Sequence, residues 1–114
     1  MTWEELKAYL KGKYFLIGLT FINEDGRLIE QYQTNGFVQE LADDGLLKII
    51  RNDGGIFQIP YDKDTIRQAE KGEYREKATG QIIKDPDFMM TWQIVTEEND
   101  DLEEIKKHGH IPAD

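Results

Sequence analysis

The sequence of 114 residues predicts an all-β domain, a small antiparallel barrel of five to six strands fronted by one short helix. Three observations carry this expectation. The stretch Tyr14 to Ile22, YFLIGLTFI, alternates so that an extended chain puts Phe15, Ile17, Leu19 and Phe21 on one face. Its other face holds Tyr14, Leu16 and Ile22, with Gly18 and Thr20 between them, which marks a central strand covered on both sides. Turn signals then recur at Asn23-Glu24-Asp25-Gly26, Ala42-Asp43-Asp44-Gly45 and Asn52-Asp53-Gly54-Gly55, separated by short apolar runs.

The elements follow in chain order. Thr2-Trp3-Glu4-Glu5 fits the capping box, and Trp3, Leu6 and Leu10 recur at helical spacing, so residues 3 to 11 predict a short amphipathic helix stopped at Gly12. Too short to persist alone, it has to dock its apolar stripe, and the second face of the central strand offers a seat. After the first turn, RLIEQYQTNGFVQEL contains Asn35-Gly36. That dipeptide reads either as one long strand bent at Gly36 or as a two-residue hairpin, and the bend is preferred. LLKIIR and IFQIP form the next hairpin, ended by Pro60. TIRQAEKG predicts one or two helical turns with Asp64 as N-cap and Gly72 as stop. Residues 73 to 87 are polar, with reversals at Thr79-Gly80 and Asp85-Pro86-Asp87. FMMTWQIVT closes the sheet, with Phe88, Met90, Trp92 and Ile94 on one face. Residues 1–96 thus form one domain, and 97–114 an acidic C-terminal tail, short helix or disordered, with only Leu102 and Ile105 able to dock a helix.

This element order resembles the SH3-like and, more specifically, the Sm-like small barrel over residues 3 to about 67; TNGFVQEL, LLKIIR and IFQIP carry the likeness. The Sm-like resemblance implies RNA binding by an oligomeric ring. The chain departs from it where its turns hold Asn, Asp, Glu and Gly in place of stacking aromatics and cations. Gly72-Glu73-Tyr74-Arg75, Ala78-Thr79-Gly80, Asp85-Pro86-Asp87 and Trp92 resemble a group of small uncharacterised bacterial proteins, which implies a bacterial cytoplasmic setting and no particular activity.

Charge and composition narrow the function. The net charge is −9, of which residues 97 to 114 supply −5. An acidic balance opposes phosphate-backbone binding, which draws its affinity from lysine and arginine, and suits a basic protein partner or simple solubility. The chain has neither serine nor cysteine, which removes the common hydroxyl and thiol nucleophiles, disulfides and thiolate metal sites. No phosphate-binding loop, dinucleotide fingerprint or H-E-x-x-H motif occurs, so the expectation is a non-enzyme without cofactor or metal. The N-terminus lacks a long apolar run and no stretch approaches the ~20 apolar residues of a spanning helix, which predicts a cytoplasmic protein.

Three constellations remain. The acid pairs Asp43/Asp44, Asp62/Asp64 and Asp85/Asp87 are the composition of a small hydrolase or hard-metal site, yet each falls at a turn where aspartate makes its own local hydrogen bonds. His108 and His110 are two metal-capable ligands where zinc wants three or four. The segment 61 to 87 gathers half of the bases of residues 1–96 around two tyrosines, and Tyr61, Arg67, Tyr74, Arg75, Asp85 and Asp87 are the candidate protein-binding residues. The bland alternative makes Tyr74 a cover for one barrel end and Arg75 a partner of Asp85 or Asp87. The leading expectation is a protein-interaction module, an immunity or inhibitor protein being one form. The alternatives are an Sm-like nucleic-acid module and a hydrolase using an Asp pair.

Overall fold

Helix α1 (Trp3–Leu10) opens the chain behind a complete capping box, with the Glu5 backbone N–H donating to Thr2 Oγ1 at 3.1 Å and the Thr2 N–H to Glu5 Oε1 at 3.2 Å. Gly12, at φ 83°, turns the chain into the first strand. The computed structural model describes residues 1–77 and 79–111; Ala78 of the bacterial pattern and residues 112–114 of the acidic tail lie outside them. Among the described residues eight strands follow: β1 (Tyr14–Ile22), β2 (Leu28–Leu41), β3 (Leu46–Ile50), β4 (Ile56–Pro60), β5 (Ile66–Gln68), β6 (Glu73–Arg75), β7 (Ile82–Lys84) and β8 (Phe88–Val95). Helix α2 (Leu102–His108) comes last.

β1 is the centre of a six-stranded sheet ordered β4-β3-β2-β1-β8-β5, while β6 and β7 form a separate hairpin. Phe15, Ile17, Leu19 and Phe21 are all essentially inaccessible to solvent and join Val38, Leu41, Leu47, Ile49, Phe57, Ile59, Met90 and Ile94 in one core. Such side chains stabilise by about 1.5–3 kcal/mol each when fully buried, which is why the alternation of β1 dictates its register.

β2 runs unbroken through Asn35-Gly36, so the bend replaces the hairpin. Its first part pairs with β1 from Leu28 to Phe37 and its end with β3 from Phe37 to Leu41, with a register shift between Val38 and Glu40. Gly36 is required by close approach: a Cβ there would overlap the Ile50 carbonyl oxygen.

Four expectations are corrected. The sheet is open and not a closed barrel, because its edge strands β4 and β5 do not pair with each other; β8 lies parallel to β1 and antiparallel to β5. The sheet is therefore mixed and not antiparallel throughout. Helix α2 packs beside β4: Leu102 and Ile105 pack on the core, and a parallel bridge pairs Gly109 with Gln58. Second, α1 does not seat on the outer face of β1; Leu6 and Leu10 pack into the same core as Phe15. Third, of the residues 65 to 72 expected to be helical only Thr65 is so, and 66 to 72 is not helical. A 3-10 turn, Lys63–Thr65, is capped by Asp62, whose carboxylate accepts from the Asp64 N–H at 2.9 Å, and Ile66 then pairs with Met90 as part of an edge strand. Fourth, among the described residues no carboxylate lies within 4 Å of Arg75, so it pairs with neither Asp85 nor Asp87.

None of the helices is long and apolar enough to cross a membrane among the described residues.

Candidate functional site

The outer face of the sheet is set by the residues that alternate with the core. Cross-strand pairing puts Asn35, Leu16 and Met89 in one row and Gln33, Gly18 and Thr91 in the next. The β6–β7 hairpin lies over these rows. Tyr74 is half-buried and Ile83 is 6% exposed, and Ile83 stands outside the main core, so the hairpin makes its own small apolar contact with the opposite side of β1. Between hairpin and sheet is a cleft of about 160 Å³ with Leu16, Gly18 and Met89 among its floor residues and Tyr74, Glu76 and Ile83 in its wall. Gly18 keeps the floor low, since a Cβ there would meet only Thr91 Cγ2, at 3.8 Å.

A hydrogen-bonded chain crosses one end of the cleft. The Tyr14 hydroxyl donates to Asn35 Oδ1, and Asn35 Nδ2 donates to Glu76 Oε2. Asn35 is only 5% exposed, so these bonds satisfy an amide that would otherwise be buried unpaired at about 1–3 kcal/mol. Glu76 also accepts from Thr79 Oγ1 at 3.3 Å. Among the described residues no lysine, arginine or histidine nitrogen comes within 4 Å of Glu76. Burial pushes the Tyr14 phenol above its ordinary pKa, and the charge of Glu76 adds to the rise; the neighbouring Asn52 and Gln81 side chains pull the other way.

From Tyr14 an apolar row runs outward over four strands. Tyr14 pairs with Phe37, Phe37 with Ile50, and Ile50 with Ile56. The Tyr14 and Phe37 rings meet edge-on at 4.5 Å. Phe37 is 52%, Ile50 36% and Ile56 45% exposed. Alternation explains the placement, because Val38, Ile49 and Phe57 next to them point into the core. The apolar residues of these strands are obvious in the sequence, but their neighbouring positions depend on the β2–β3 register, which is offset by the shift after Val38.

The residues expected to bind a partner fall into three groups. Tyr74 and the largely exposed Arg75 both line the cleft, with the Tyr74 hydroxyl donating to the Glu70 carbonyl at 2.7 Å. Tyr61 packs against the core, and Arg67 is exposed on the edge strand β5. Asp85 and Asp87 hold the hairpin in place. Asp85, at φ 51°, accepts from the Gly72 N–H at 2.8 Å, and Asp87 accepts from the Tyr14 N–H at 2.8 Å. Glu76, Phe37, Ile50 and Ile56 carry no site signal in the sequence, and Asn35 stands out there only as part of the Asn35-Gly36 bend.

The three acid pairs occupy three separate turns. Asp44 accepts from the Leu46 N–H at 3.0 Å, and Asp43 accepts from Lys7 Nζ at 2.6 Å. Hydrogen bonds from Lys7 and Trp3, together with the lysine charge, hold the Asp43 carboxyl below its usual range. His108 lies 3.5 Å from Glu104, and the His110 ring faces Trp92 at 6.1 Å. Among the described residues no three His, Cys, Asp or Glu side chains gather in a group suited to a metal ion.

No protein-family model, curated protein or solved structure matches this chain.

Proposed function

We propose that this chain is a non-enzymatic protein-binding module of the bacterial cytoplasm that engages a basic partner through the outer face of its sheet. The observation that carries this reading is the contiguous row Phe37, Ile50 and Ile56, each more than a third exposed on neighbouring strands. A joined apolar patch with a polar surround is the usual form of an interaction surface, whereas apolar residues scattered singly need no explanation. The net charge of −9 opposes self-association and favours a basic partner, as it would in an immunity or inhibitor protein. The order of α1, the bent β2, the β3–β4 hairpin, the 3-10 turn and the short β5 supports reading the sheet as an opened version of the Sm-like barrel.

The test compares the wild-type chain with Phe37→Glu as immobilised bait at low ionic strength. The reading expects a basic protein to be retained by the wild type, released by salt, and lost with Phe37→Glu. Retention of nothing basic, or equal retention by both baits, overturns it. RNA retention together with a ring oligomer in sedimentation would favour the nucleic-acid module instead.

A further inference from the structure

The cleft beside Glu76 points to the chemistry of the group it takes: we propose that it is an anchor pocket for an arginine side chain of the partner, with the guanidinium on Glu76 and the aliphatic stem over Leu16 and Met89. This rests on the protein-binding reading and adds to it the residue type that is recognised.

The argument begins with size. The cleft, at about 160 Å³, is smaller than the ~300 Å³ at which ligand and cofactor pockets begin, so it suits one side chain and not a cofactor. Charge comes next. Glu76 is half-buried at the cleft and held by two neutral donors, Asn35 and Thr79; Arg75 also lines the cleft, but neither it nor any other cation of the described residues comes within 4 Å of Glu76. A carboxylate presents about four acceptor positions. Two are used, one on each oxygen, which leaves one per oxygen for a fork of parallel N–H donors. Bringing a cation there compensates a charge already partly removed from water.

The walls favour arginine over lysine. Tyr74 offers an aromatic surface pinned by its bond to Glu70, and a planar guanidinium can stack on it. Leu16, Met89 and Ile83 supply apolar contact for the methylene stem. Asn35 acts as a positioning residue, because its two bonds set where the Glu76 carboxylate points. The cleft meets the apolar row at Tyr14, so an arginine seated on Glu76 and an apolar side chain on Phe37 could belong to one short segment of the partner.

The experiment is an amide chemical-shift titration of the full chain with N-acetyl-arginine methylamide, with the neutral citrulline analogue as control. The expected result is a saturable shift at Gly18, Tyr74, Glu76 and Thr91, at least tenfold weaker with citrulline. Glu76→Gln should reduce the arginine response by the same factor while leaving the rest of the spectrum in place. Linear shifts spread over the acidic residues 97 to 104, or an equal response to citrulline, overturn the proposal. The citrulline control needs no variant, so it decides even if Glu76→Gln disturbs the hairpin. If Glu76→Gln bait retains the basic partner as well as wild type, the anchor pocket fails and the protein-binding reading stands. If wild type retains no partner, that reading fails, and the titration still reports on the cleft.

Discussion

Arg51 caps helix α2 at Lys107: its Nη2 donates to the Lys107 carbonyl at 2.7 Å, while Nη1 donates to the Lys106 carbonyl at the same distance. The last carbonyls of a helix have no partner within it and carry its negative pole, so a guanidinium fork there satisfies both geometry and charge. Nη1 also reaches the Tyr32 hydroxyl at 3.1 Å, and the guanidinium lies over the Phe57 ring at 5.6 Å. One side chain at the end of β3 therefore ties the C-terminal helix to two strands.

Arg51→Met should destabilise the fold by about 1.5–3 kcal/mol, the range for hydrogen bonds from a charged group. The loss should centre on α2. Denaturant unfolding gives the magnitude, and faster amide exchange at Ile105 to His108 against unchanged exchange in β1 gives the location. Arg51→Lys keeps the charge without the fork and should recover only part of the loss.

Two glycines in the sheet should respond in opposite directions. Gly36→Ala places a methyl group on the Ile50 backbone and should cost about 1–3 kcal/mol as an overpacked site. Gly18→Ala meets only Thr91 at 3.8 Å, so the variant should match or exceed wild type by about 0.5–1 kcal/mol while narrowing the cleft. Unfolding midpoints of the two variants, measured side by side, check both signs.

Asp87→Ala removes the acceptor for the Tyr14 N–H and should destabilise by about 0.5–1.5 kcal/mol, the net worth of a hydrogen bond whose donor water can reach. The backbone bond from the Asp87 N–H to the Tyr14 carbonyl, 2.9 Å, stays available, so the start of β8 should loosen without detaching. Asp87→Asn retains an acceptor oxygen and should lose less. Exchange rates at Tyr14 and Phe88 distinguish the two variants.

His110 should give stability a histidine-dependent slope on the acid side. Burial lowers its folded pKa below the ordinary 6.5, so the folded state resists protonation. Its contribution is fully present above pH 6.5 and is lost as pH falls through the lowered folded value, because the unfolded chain takes up the proton first. Urea midpoints between about pH 7.5 and 5 should decline, and His110→Phe, which keeps a ring beside Trp92, should flatten that decline. An unchanged slope in the variant would rule His110 out as its source.

Several elements were legible because their signal is local. The Thr2 and Glu5 side chains need only each other's backbone to start α1. The alternation of Phe15, Ile17, Leu19 and Phe21 makes β1 a strand wherever it lies, and the Asx turns at Asn23, Asp44 and Asp53 form within a few residues. Asp62 and Asp64 both have the side chain of a cap, and the sequence does not tell them apart. What decided between them was the pairing of Ile66 with Met90 on a distant strand. At the candidate site, Tyr74 and Arg75 were legible as residue types, whereas Asn35 and Glu76 are 41 positions apart and become partners only when the hairpin folds over the sheet.

By itself the sequence determined the helix start, the central strand, the turns and the inward face of β8, all of which follow from contacts within one element or from the need to bury alternating apolar side chains. Tertiary structure alone decided that β8 runs parallel to β1, that α2 docks beside β4, and that the β6–β7 hairpin covers the far side of β1. The reason is physical: backbone hydrogen bonds between strands are chemically alike whichever strand supplies them, so strand order is chosen by the summed packing of the whole chain and leaves no mark on any single stretch.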